Sequence, residues 1–177
     1  IKSTVMGEEV DVSRVKKDPK RTTGILFKER FSTVNPNVYY YRKGSAASHL
    51  MIEDLDLEYI ASAKILHVTG ISLALSEEMR EAVFYAVREA KKRGVLISFD
   101  PNIRLKLWSK EEARETILEM VKLTDLLFPG KEEAELLLGL TEPEEIADSF
   151  LNLGVQTVAL KLGKSGCYVK NKETEAF

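Results

Sequence analysis

From Ser62 onward the chain alternates short β-rich runs with amphipathic helical stretches, and this alternation limits the fold more than any other feature. It is the pattern of βαβ units, in which each helix crosses over a mostly parallel sheet. Lys64–Thr69, Val95–Asp100, Asp125–Pro129 and Gln156–Leu162 read as its strands. The unbroken apolar run of Val95–Asp100 suits a strand covered on both faces. Between the strands, Met79, Ala82, Val83, Ala86, Val87 and Ala90 recur at helical spacing behind a Ser76 cap, and Gly94 is placed to end that helix. Ser109 with Glu112 and Thr141 with Glu144 match capping boxes that open two more helices. The segment from Glu132 to Leu138 reads as a short helix closed by Gly139.

The first third lacks this alternation. The block 23–48 reads as an antiparallel strand pair and its return toward the α/β body that follows. Within this block, Thr23–Arg30 and Val38–Lys43 form an antiparallel pair around a turn at Val34–Asn37. Such a pair can cover a ligand. At the other end, Gly163-Lys164-Ser165 is short enough to make a hairpin between Gln156–Leu162 and Gly166–Lys170, and Asn171-Lys172-Glu173 reads as a turn into one more strand.

Composition enters as a filter on function. A formal charge of -2 over 177 residues does not favour nucleic acid or an anionic membrane as partner. Cys167, the single cysteine, cannot close an internal disulfide, so a reducing, cytoplasmic setting fits. No apolar run approaches the roughly 20 residues of a membrane span. His49 and His67 lack a nucleophile partner at a recognisable spacing, and His67, in an apolar strand, reads as a hydrogen-bonded core residue.

In open α/β sheets ligands gather beyond the carboxyl ends of the strands. Asp100-Pro101-Asn102-Ile103-Arg104 follows a strand directly and offers an amide and a guanidinium there. A surface turn with a solvated arginine is the plain alternative. On Val38–Lys43, Tyr40 and Arg42 share one face, a grip for a hydroxylated acid, or else the decoration of an edge strand. Lys161-Leu162-Gly163-Lys164-Ser165-Gly166 carries glycines that let backbone approach a phosphate, or that simply turn a hairpin. The acidic residues after Gly130 complement a helix dipole, and one of them could order Mg²⁺ near phosphates.

Taken together, TGILFKER, VYYYRKGSAAS, KILHVTGISLALS, VLISFDPNIRLKLWS, DLLFPGKEEAELLLG and ALKLGKSGCYV resemble, in order and spacing, the 2-keto-3-deoxygluconate kinases among the ribokinase-like, phosphofructokinase B type carbohydrate kinases. The resemblance implies a three-layer α/β core with a mostly parallel sheet and a small antiparallel β lid. It implies transfer of the γ-phosphoryl group of ATP, with Mg²⁺, to the 6-hydroxyl of a sugar acid. Other sugar kinases of the family, a fructokinase or ribokinase, and a non-catalytic nucleotide-binding module are the alternatives.

Carried over by position, Tyr40, Arg42 and Arg104 resemble substrate contacts. Asn102, Arg104, Lys161, Gly163, Ser165 and Gly166 resemble the nucleotide site, and Glu133 the acidic residue that organises Mg²⁺. Gly130 stands where the family carries Asn, and Leu26 where some relatives carry a lid tyrosine. The glycine-rich substrate motif and the Gly-Ala-Gly-Asp segment with the catalytic Asp are not among these residues, so the chain is expected to be a fragment, inactive alone. The exposed lid is the expected surface for a homodimer or higher homo-oligomer.

Overall fold

A computed structural model describes residues 1–30 and 37–177. The expected turn at Val34–Asn37 falls mostly outside the described residues. Among the described residues two sheets are present. The small one pairs β1 (Ile25–Lys28) with β2 (Val38–Tyr41) in antiparallel register, Leu26 opposite Tyr40 and Phe27 opposite Tyr39. The large one runs in the order β3 (Ile65–Thr69), β4 (Leu96–Asp100), β5 (Leu126–Leu127), β6 (Thr157–Lys161), β7 (Cys167–Asn171), β8 (Glu175–Ala176). Pairing is parallel from β3 to β6 and antiparallel beyond. The fold class read from the sequence is therefore the one observed.

The long helices form where their caps permit. Ser76 accepts a hydrogen bond from the Met79 N–H to start α4 (Glu77–Lys92), and Ser109 accepts one from the Glu112 N–H to start α5 (Lys110–Val121). The Glu112 carboxylate does not close the box; it pairs with Arg80 at 2.6 Å instead. The left-handed Gly139 ends α6 (Lys131–Leu138) as expected. The Thr141 box does not form, because Pro143 occupies the first position of α7 (Pro143–Asn152) and puts Glu142 at the cap. Proline there fixes the helical φ and forgoes an N–H that had no partner in any case. Two short helices complete this part: α2 (Leu57–Ala61) and α3 (Gly70–Leu73) flank β3. A further helix, α1 (Lys2–Gly7), opens the chain.

Among the described residues, the core lies between the large sheet and helices α4 to α7. Ile97, Phe99, Leu127, Val158, Leu160 and Tyr168 point from the sheet toward the apolar faces of α4 to α7. Residues of opposite parity face the other way, and there Ile65 and Leu96 are 46% and 41% exposed. The apolar run of β4 is thus buried on its helix side and open at Leu96. His67 is exposed on the same open face, and its Nδ1 lies 2.9 Å from Ser98 Oγ. It is hydrogen-bonded as expected but is exposed and not a core residue, because among the described residues β3 has a neighbouring strand on one side alone. Among the described residues, no helix is long and apolar enough to cross a membrane.

The closing hairpin carries a titratable group in the core. Tyr168 is buried and its hydroxyl donates to Glu175 at 2.7 Å. Burial, followed by that hydrogen bond, pushes its phenol up to about 12. A pKa raised on folding stabilises the protein fully below the ordinary tyrosine value near 10, and this contribution disappears as pH rises through 12. Alkaline titration of tyrosinate absorbance is expected to show a late component that Tyr168→Phe removes. An unchanged curve would remove this account.

Candidate active site

The carboxyl ends of β3, β4 and β6 meet at one edge of the large sheet, and most of the polar residues singled out by the sequence converge there. Pro101 ends β4, and Asn102 turns the chain with a left-handed φ of 38°. Asn102 tolerates this conformation better than most non-glycine residues. Its N–H donates to Asp100 Oδ1 at 3.1 Å, and its amide nitrogen lies 3.4 Å from Thr69 Oγ1. Thr69 leads into Gly70, whose backbone comes so close to Pro101 that an added Cβ would lie 1.9 Å from the proline carbonyl oxygen.

Lys161 reaches this cluster from β6. Its ammonium donates to both oxygens of Asp100 at 2.9 Å. Beyond Lys161 the chain makes the expected hairpin, with Gly163 and Gly166 both at positive φ and Leu162 N–H donating to Gly166 O at 2.9 Å. Ser165 lies in the turn between these glycines. The turn stands next to Asp100 and Asn102 through Lys161.

Glu133 is tied in from α6. Its Oε2 accepts the Gly130 N–H at 2.7 Å, which caps the helix, and its Oε1 accepts the Ile103 N–H at 2.8 Å. Both carboxylate oxygens therefore hold backbone, one of them in the loop that carries Arg104. Among the described residues no three acidic, histidine or cysteine side chains gather as a metal centre. With both oxygens already on backbone N–H groups, Glu133 could meet a cation here only through water, and Mg²⁺ is commonly held mainly by phosphates and water.

The second group lies under the small sheet. Tyr40 and Arg42 do share a face, and the guanidinium carbon sits 4.2 Å from the centre of the Tyr40 ring. Arg42 Nε is buried and has no hydrogen-bond partner among the described residues. A cleft of about 720 Å³ opens here, walled by Tyr39, Tyr40, Arg42, Lys43, Ala74 and Lys106, among others. Among the described residues, its lining includes three cationic residues, Arg42, Lys43 and Lys106, and no acidic one.

Arg104 belongs to the loop that serves both groups. It is exposed, and its carbonyl accepts the Leu107 N–H at 2.9 Å. That turn presents Lys106 and Leu107 to the cleft, whereas Arg104 itself does not line it. Sequence reasoning missed Lys106 and Asp100. Lys106 lies two residues past Arg104 in the same strand-tip loop, and an acidic residue directly before Pro101 at a strand end was the available signal for Asp100.

The chain matches the family described as pfkB family carbohydrate kinase over residues 1–177. It is 44% identical over 172 residues to the 2-dehydro-3-deoxygluconokinase of Bacillus subtilis (strain 168), covering 96% of this chain and 53% of that protein. The crystal structure of a PfkB protein from Polaromonas sp. JS666 superposes with a TM-score of 0.94 at 36% identity, over 98% of this chain and 59% of that one. A putative ribokinase II from E. coli, in complex with ATP and Mg²⁺, superposes at 0.78 and 29% identity, over 89% and 50%. The chain spans about half the length of the curated relative it matches. By this match along its whole length, and by the mostly parallel sheet and small antiparallel β pair its sequence implied, the chain belongs to the pfkB family of carbohydrate kinases.

Proposed function

We propose that the protein containing this chain is an ATP- and Mg²⁺-dependent sugar-acid kinase that phosphorylates the 6-hydroxyl of 2-keto-3-deoxygluconate. The observation that carries the acidic acceptor is the cleft under the small sheet, with Arg42, Lys43 and Lys106 among its lining residues and, among the described residues, no acidic residue lining it. A neutral sugar does not require that charge. A carboxylate does, and Arg42 offers a buried, unspent Nε donor beside the Tyr40 ring. The similarity to a 2-dehydro-3-deoxygluconokinase points to the same acceptor.

In this reading Tyr40 and Arg42 grip the sugar acid, and Arg104 faces a carboxylate or a phosphate at the junction. Asn102, Lys161 and the Gly163–Gly166 turn receive the nucleotide. Glu133 orders the hydrated Mg²⁺, which when bound neutralises charge on the transferring phosphoryl group. We assign no catalytic base within these residues. The face of the small sheet bearing Ile25, Phe27, Tyr39 and Tyr41, each more than half exposed, is the surface for self-association. The setting is cytoplasmic, in keeping with a single free Cys167.

Turnover by the intact enzyme on ketodeoxygluconate, fructose and ribose tests the reading. Arg42→Ala is expected to lower kcat/KM for the sugar acid by about 1.5 to 3 kcal/mol, the range for a hydrogen bond to a charged group. Neutral sugars should lose little. An equal loss on all three would exclude the acidic acceptor.

A further inference from the structure

Lys161 extends from β6, while the carboxylate that holds it belongs to β4, with β5 between them. Two strand spacings are about 10 Å, which a lysine stem and a short aspartate together can bridge only if nothing stands in the path. The sequence clears that path. The ladder of β5 is only two residues long, and at the isolated bridge beyond it Lys161 pairs with Gly130, which has no side chain. The parity of the ladder puts Asp100 and Lys161 on the same face, opposite the helices.

We propose that Asp100 is a positioning residue for nucleotide binding, acting through Lys161. An ammonium has three donors and no acceptor. Two of these donors are fixed on Asp100 Oδ1 and Oδ2, which orients the third and removes much of the rotamer freedom of the lysine stem. Oδ1 also accepts the Asn102 N–H, so one carboxylate sets two residues of the strand-tip site in register. The pair is part exposed, 46% for Lys161 and 30% for Asp100, so its worth lies in orientation more than in stability. The proposal rests on the reading of the β6–β7 turn as the nucleotide seat.

The test is a double-mutant cycle on ATP binding by the intact enzyme. Asp100→Asn keeps an oxygen for the Asn102 N–H while giving up the charged grip on Lys161. It is expected to weaken ATP binding by about two- to tenfold, the cost of immobilising one long side chain at binding. In a Lys161→Ala background the same substitution should weaken binding no further. Equal weakening in both backgrounds, or none in the wild type, overturns the proposal.

A ligand-free measurement separates the two readings. Acetylation of Lys161, scaled to the exposed Lys164 and followed by mass spectrometry, should rise in Asp100→Asn. Identical rates would mean that Asp100 does not hold Lys161. If Lys161→Ala leaves ATP affinity unchanged, the nucleotide seat itself is misplaced, whatever the acetylation result.

Discussion

Gly70→Ala is expected to destabilise the protein by about 3 kcal/mol or more, because the new methyl group meets backbone and not a yielding side chain. The added Cβ would lie 1.9 Å from the Pro101 carbonyl oxygen and 2.8 Å from Ile117 Cδ1. Neither neighbour gives way easily. Pro101 is buried at the end of β4, and Ile117 is fully buried in the core. Relief therefore requires the β3–α3 junction to move away from the Pro101–Arg104 loop. Urea unfolding measures the first effect. The loop movement should also weaken binding at the strand tips, so ATP affinity is expected to fall even at temperatures where the variant remains folded. A variant with wild-type stability would show that the close approach is not required.

Asp125→Ala is the second large effect, expected to cost about 3 to 4 kcal/mol. Asp125 is 6% exposed, and its carboxylate joins three elements at the end of the sheet remote from the site. Its Oδ2 accepts the Ile97 N–H at 2.7 Å, while Oδ1 accepts from Lys91 at 3.0 Å and Gln156 at 2.9 Å. Alanine leaves the Ile97 N–H without its acceptor and Lys91 without its counterion. Asp125→Asn should cost less, because an amide oxygen can still serve Ile97. Equal losses for the two variants in thermal unfolding would mean that the ion pair, and not the backbone contact, dominates.

The contrast between these two positions bears on what a sequence can reveal. Ser76, Ser109 and Gly139 were legible because each acts within one turn of its own helix, and the β6–β7 hairpin was legible because its loop is short. The Thr141 box failed for a local reason too: Pro143 is a stronger start signal than a threonine two residues earlier. His67 and Leu96 were misread because apolar character does not say which strand lies at an edge or which face receives helices. At the site, residue types and strand-end positions identified Asn102, Arg104 and Lys161 as candidates, and alternation along a strand paired Tyr40 with Arg42.

Only the folded chain decided what those candidates touch. Glu133 bonds Ile103 across 30 residues and Lys161 bonds Asp100 across 61, while Lys106 and Ala74 meet the small sheet at a shared cleft. Periodicity, caps and turns depend on interactions a few residues apart, so the amino-acid order determined the elements and their alternation. Contacts between distant segments depend on register, strand order and the close approach at Gly70, which arise only when the elements pack together. The chemistry of this protein is written in the first kind of information, and its geometry in the second.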